Sequence, residues 1–209
     1  MTTTTTNPDC NLIPIDLTDP TQYTEIRRQR QICGWHHSPQ TLQNWAQKQA
    51  DGLKSFFWIT IPSPKGPIRA GHISLDAYSD ILEYAHDLVR ADKSILTIQA
   101  FFLLPEYRAG GLGRRAMHLV EELAVREPYG SPGCRAITLT ALSKRYLYEE
   151  GPEWRGVWER MGVEMPGFSI QEWYEKLGYV AWMEKPVYEE RALDGGVIRL
   201  VEAFMRKEL

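Results

Sequence analysis

Between Phe101 and Arg126 an apolar run, FFLL, meets Pro105-Glu106-Tyr107 and then three glycines, Gly110, Gly111 and Gly113, set among Arg108, Arg114 and Arg115. Beyond them Ala116, Met117, Leu119, Val120, Leu123 and Ala124 recur at helical spacing. A strand, a glycine-rich turn and a helix start in that order can hold a phosphate. The first amides of a helix lack partners within it, and together they carry about half a positive charge. Glycine lets such a backbone touch a ligand. Two nucleotide loops fail the spacing. GxxxxGK[ST] is excluded because Gly113 runs into Arg114-Arg115, and GxGxxG because Ala116 stands where its last glycine would be. A tight turn with no ligand is the structural alternative.

Proton-transfer chemistry has fewer candidates. Tyr174 lies in WYEKLGY, four residues before Gly178, and His72, Asp76, Asp80 and Glu83 are spread over residues 68–83. The apolar stretch from Ile95 to Leu104 holds no carboxylate; its polar side chains are Thr97 and Gln99, which share a strand face with Phe101 and Leu103.

These residues need a scaffold, and the pattern supplies one. Leu12 to Leu17 reads as an edge strand, since Pro14 cannot donate to a ladder. Helices follow over Gln22 to Ile32, ended near Gly34, and over Pro39 to Ala50, with Ser38 as N-cap and Gly52 as stop. Trp35, His36, His37 and Trp45 there could line a pocket or serve only in packing. SFFWITIP (Ser55 to Pro62), a SPKGP turn and Ile68 to Asp76 form an antiparallel hairpin. Asp80 to Lys93 is an acidic excursion, and Ile95 to Leu104 is one long central strand. After the Gly113 to Arg126 helix come a strand at Ala136 to Leu142 and an irregular insert at 143–168. A short helix, Gln171 to Leu177, closes at Gly178, and final strands span Tyr179 to Tyr188 and Val197 to Met205. Residues 1–10, rich in threonine, read as a flexible tail, and 11–209 as a single domain.

Composition narrows the class further. The formal net charge of -3 argues against general nucleic-acid binding. Three cysteines, far apart and without CxxC spacing, give neither a disulfide framework nor a metal site. No 18-residue apolar run and no signal-like start occur, which points away from membranes and secretion and towards the cytoplasm or nucleus.

LPEYRAGGLGRRAM after an apolar strand resembles motif A of the GCN5-related N-acetyltransferase (GNAT) superfamily, and WYEKLGY is similar to its motif B. The resemblance spans roughly Asn11 to Met205, with about 45 residues carrying specific signal. It implies an α+β fold: a mixed, mostly antiparallel sheet of about seven strands flanked by helices and splayed between strands 4 and 5. Acetyl-coenzyme A is the implied co-substrate. Its diphosphate would lie on the amides of Ala109, Gly110, Gly111, Leu112, Gly113 and Arg114, with the side chains of Arg108, Arg114 or Arg115 adding charge. Its pantetheine arm would lie along Phe101, Phe102 and Leu103. Tyr174 matches the motif B tyrosine that protonates the departing thiolate, or packs against the coenzyme.

The implied reaction is direct acetyl transfer to a primary amine, on a small molecule rather than a protein. A lysine or N-terminal peptide acceptor, or a coenzyme A module without catalysis, are the alternatives. The resemblance also allows a homodimer. It departs from the family at Gly167 and Ile170, where Asn and Ala are usual, and in lacking a strand-four glutamate. An amine of pKa near 10.4 costs roughly 4 to 5 kcal/mol to deprotonate at neutral pH, so a base is wanted. The insert at 143–168 combines Tyr146, Tyr148, Trp154, Trp158 and Phe168 with Glu149, Glu150, Glu153 and Glu159. It would serve as a lid over a cationic substrate or as a surface segment packed on the core.

Overall fold

The computed structural model describes residues 9–209, so most of the expected N-terminal tail lies outside the described residues. Cys10, its last residue, is buried, and burial pushes its thiol up to about 11. The chain divides into two compact units, residues 9–137 with Leu209, and residues 138–208.

In the first unit β1 (Asn11–Pro14) pairs antiparallel with β2 (Lys54–Ile61), which pairs antiparallel with β3 (Ile68–Asp76). Two helices connect β1 to β2. α1 (Pro20–Cys33) starts at Asp19, whose carboxylate accepts from the Thr21 and Gln22 amides, and ends at Gly34 in the left-handed region. α2 (Pro39–Ala50) is capped by Ser38, as its sequence requires, and packs against β2. Ile26, Leu42 and Trp45 from the helices meet Ile15, Phe56, Trp58 and Ala100 in one core. Each of these large side chains contributes roughly 1.5–3 kcal/mol on leaving water.

The acidic excursion forms a short 3-10 turn and α3 (Ala85–Leu88). The strand expected over Ile95 to Leu104 is two strands, β4 (Ile95–Ile98) and β5 (Phe101–Leu103), both paired with β3. The break falls at Gln99-Ala100, where both residues bond sideways instead of continuing a ladder. Ala100 N donates to Ser74 Oγ at 3.1 Å, its carbonyl accepts from Ser74 N at 2.8 Å, and the Gln99 amide group reaches back to Asp76 and Tyr78. This division makes eight strands of the expected seven among the described residues. β5 lies so close to β3 that a side-chain carbon at Gly71 would collide with the Phe102 carbonyl oxygen. α4 (Leu112–Ala124) follows, buries Ala116, Met117, Val120 and Ala124, and packs against β1 and β3. β6 (Ala136–Leu142) carries the chain into the second unit.

That unit has the strand order β6-β8-β7, in which β7 (Val180–Arg191) and β8 (Val197–Glu208) form a long antiparallel pair. The insert holds α5 (Arg145–Tyr148) and α6 (Val157–Met161). It is packed down rather than free: Tyr146 and Val157 share a core with Ala192, Ile198 and Leu200. Tyr146 Oη accepts from Val201 N at 2.9 Å, and Trp158 Nε1 donates to Tyr146 O at 2.8 Å. α7 (Ile170–Glu175) begins at Ser169, whose hydroxyl accepts from Glu172 N, and Gly178 beyond it takes a positive φ of 91°. Among the described residues no helix is long and apolar enough to cross a membrane.

Candidate active site

The glycine turn is built as its composition demands. Gly110 and Gly111 have φ of 78° and 82°, a region L-residues occupy only with strain. Open space lies in front of both. Gly111 caps α4 without any side-chain hydrogen bond, and the first amide of this stretch to find an acceptor is that of Arg115, bonded to Gly111 O at 3.1 Å. The six main-chain amides of residues 109–114 have no acceptor among the described residues. Ala109, Gly110, Gly111 and Arg114 are exposed, whereas Leu112 and Gly113 are buried.

Arg108 is exposed and is also tied to the preceding strand. Its Nε donates to Leu103 O at 3.0 Å and its guanidinium lies 5.4 Å from the centre of the Phe102 ring, so it braces the turn against β5. One carbonyl expected to be open along residues 101–103 is therefore taken. The other edge of β5 faces β3, in the register Gly71 to Leu103, His72 to Phe102 and Ile73 to Phe101.

The two base candidates on β3 are both buried and held by other side chains. His72 is fully buried; Arg30 faces its Nε2 at 3.4 Å and Gln29 faces Nδ1 at 2.9 Å. Because arginine can only donate, Nε2 accepts and Nδ1 carries the proton. Burial, then Arg30 and Lys54, hold this imidazole well below its ordinary range.

Asp76 is paired with Lys54 at 3.0 Å, both side chains fully out of solvent. Ser74 Oγ donates to Asp76 Oδ2 at 2.7 Å and Gln99 Nε2 at 3.2 Å. Burial pushes this carboxyl up, and the lysine opposes it. Lys54 Nζ also lies 4.6 Å from the Trp45 ring centre and 5.0 Å from that of Phe56. Trp45 is thereby a core residue, with His36 edge-on to it at 5.8 Å. Asp80 and Glu83 are exposed. Sequence reasoning missed Lys54, which stands one residue outside the strand it identified.

In the second unit Tyr174 is 7% exposed on α7, with Trp173 and Tyr179 edge-on at 4.9 and 5.8 Å. Burial, then the charge of Glu202, push its phenol well above the ordinary value, so it keeps its proton throughout the neutral range. Glu202 on β8 was also missed. Its signal was a lone carboxylate inside the apolar run Leu200-Val201-Glu202-Ala203-Phe204. It is buried, Thr140 hydrogen-bonds it, and desolvation raises it to about 8.

No family model and no curated protein matches the chain. Solved structures do. A structure of Arabidopsis thaliana NAA60 in complex with a bisubstrate analogue is 14% identical, covers 96% of this chain and 99% of its own, and superposes with a TM-score of 0.58. An aminoglycoside 6'-N-acetyltransferase complexed with coenzyme A is 16% identical over 95% and 96% of the two chains, at 0.53. A spermidine N-acetyltransferase SpeG chimera from Vibrio cholerae and hSSAT is 12% identical over 95% of each, at 0.58. With its mostly antiparallel strands, flanking helices and glycine turn, the chain has the fold of the GCN5-related N-acetyltransferases.

Proposed function

We propose that the chain is an acetyl-coenzyme A dependent N-acetyltransferase that transfers acetyl directly to the primary amine of a small molecule. The observation that carries this reading is the run of six acceptor-free amides at residues 109–114, at the mouth of a 13-residue helix. A diphosphate satisfies them and sits at the positive end of the helix dipole. Arg114, exposed beside the turn, adds a charge-assisted contact. Among the similar structures, coenzyme A is bound to the aminoglycoside 6'-N-acetyltransferase and acetyl-CoA to NAA60, which supports the same co-substrate here.

In this reading residues 101–103 carry the pantetheine arm and Tyr174 supplies the proton to the leaving sulfur. A phenol held above its ordinary range is protonated when the thiolate departs, as an acid must be.

Calorimetry with acetyl-coenzyme A, followed by mass spectrometry of products from amine and peptide panels, tests the reading. Micromolar binding and an acetylated small amine are expected. Products confined to the peptide panel move the acceptor to proteins, binding without any product leaves a coenzyme A module, and no binding ends the assignment.

A further inference from the structure

Beside the glycine turn, and wholly within the first unit, lies an open groove of about 970 Å³. Such a volume suits a small ligand. Its walls are one face of α1, the start of β3, and the segment from Leu104 to Tyr107 that leads into the turn. Helical spacing sets Thr21, Glu25 and Arg28 together on the α1 wall. Tyr107 stands two residues before Ala109, the first of the acceptor-free amides, which keeps their Cα atoms within about 7 Å.

The charges in the groove are unequally committed. Glu25 accepts from Arg28 Nε and Nη2 at 2.8 Å each and from Gln29 Nε2 at 2.9 Å, so Glu25 and Arg28 satisfy one another. Arg69 has no such tie. Its guanidinium carbon lies 4.7 Å from the centre of the Trp58 ring, and no acceptor or ion-pair partner among the described residues meets its N–H groups. Trp58 is buried and fixed, since its Nε1 donates to Gln22 Oε1 at 3.1 Å. A guanidinium held against a fixed indole keeps its planar fork of donors pre-organised, and little freedom is lost when an anion arrives. Arg69 is also half-buried, so water competes less for that anion than at an open surface. Glu106, the remaining carboxylate of the lining, is exposed and has no ion pair among the described residues.

The groove therefore offers one uncommitted cation, the Tyr107 ring and the Glu106 carboxylate. A phosphorylated aminopurine nucleoside calls for those three: a cation for the phosphate, a flat surface for the base and an acceptor for the ring amine. We infer that this groove holds the 3'-phosphoadenosine end of coenzyme A, with Arg69 on the 3'-phosphate. The inference rests on the acetyltransferase reading above. Only a ribose separates that phosphate from the diphosphate placed on residues 109–114, and the groove is walled by the residues that run into them. No covalent step is involved; the subsite acts on affinity.

The test is calorimetry of coenzyme A and of 3'-dephospho-coenzyme A on wild type, Arg69→Gln and Arg69→Lys. Wild type should bind coenzyme A about tenfold tighter than the dephospho form, the low end for a hydrogen bond to a charged group. Arg69→Gln should bring the two ligands within about threefold by weakening coenzyme A alone, and its unchanged affinity for the dephospho form shows that the variant is folded. Arg69→Lys keeps the charge, loses the fork and should retain part of the preference. A preference that persists in Arg69→Gln, a wild type that binds both ligands alike, or equal weakening of both ligands in both variants overturns the subsite and spares the acetyltransferase reading. Failure of wild type to bind either ligand overturns both.

Discussion

Asp76 and Glu202 are both buried carboxyls, one in each unit, and both are pushed above the ordinary carboxylate range by desolvation. Their surroundings differ. Asp76 has a lysine, a serine hydroxyl and a glutamine amide within hydrogen-bond distance, and through them it ties β2, β3 and the Gln99-Ala100 break together. Glu202 has one threonine hydroxyl. A buried charge that is paired and fully bonded is part of the framework, because losing any partner strands the others. A buried carboxyl with one bond stays neutral until the pH is high enough to force its charge, so it remains chemically responsive.

The largest expected effect tests that responsiveness. Glu202 has a native value near 8 against 4.5 for the free side chain, so between those pH values the native state binds more protons than the unfolded one. Its contribution to stability is whole below 4.5 and is lost as pH rises through 8. At about 1.36 kcal/mol per unit, the loss reaches roughly 4 to 5 kcal/mol. Denaturant titrations should show Glu202→Gln matching wild type at pH 5 and exceeding it at pH 9. Equal stability at both would return Glu202 to the class of Asp76.

Lys54→Met probes the other side and should cost about 3 to 5 kcal/mol, since it leaves Asp76 buried without its counter-charge. Adding Asp76→Leu should recover most of that loss in thermal unfolding, because an apolar pair of similar volume needs no partner. Next comes Tyr174→Phe, expected to lower kcat about 10²-fold, or roughly 2.7 kcal/mol of barrier, with acetyl-coenzyme A affinity unchanged. Full kcat in that variant would confine Tyr174 to packing.

Much of this was legible in order and little of it in depth. The helix caps Ser38 and Gly34, the β2-β3 hairpin and the glycine turn all follow from local rules, since each depends on residues within a few positions of one another. The break at Gln99-Ala100 does not, because its cause is Ser74 and Asp76 on another strand. Lys54 and Glu202 were missed for the same reason. A charged residue in the sequence carries no mark of the solvent it will lose. The bond from Arg108 to Leu103 was not legible either, because it exists only once the turn has folded.

The smallest predicted effect concerns the turn. Gly111→Val forces a branched side chain into the left-handed region at a cost of about 1 to 3 kcal/mol. Calorimetry should show the acetyl-coenzyme A Kd rising at least tenfold, while Arg114→Gln weakens binding by less. If Arg114→Gln were the more damaging, side-chain charge rather than backbone would hold the ligand.

The turn at 109–114 also bears on how such a chain can diverge. A contact made by peptide groups is indifferent to the letters that carry them, provided two positions keep a conformation that glycine tolerates. Drift can then rewrite nearly all of the surrounding alphabet while the shape of the turn stays the same.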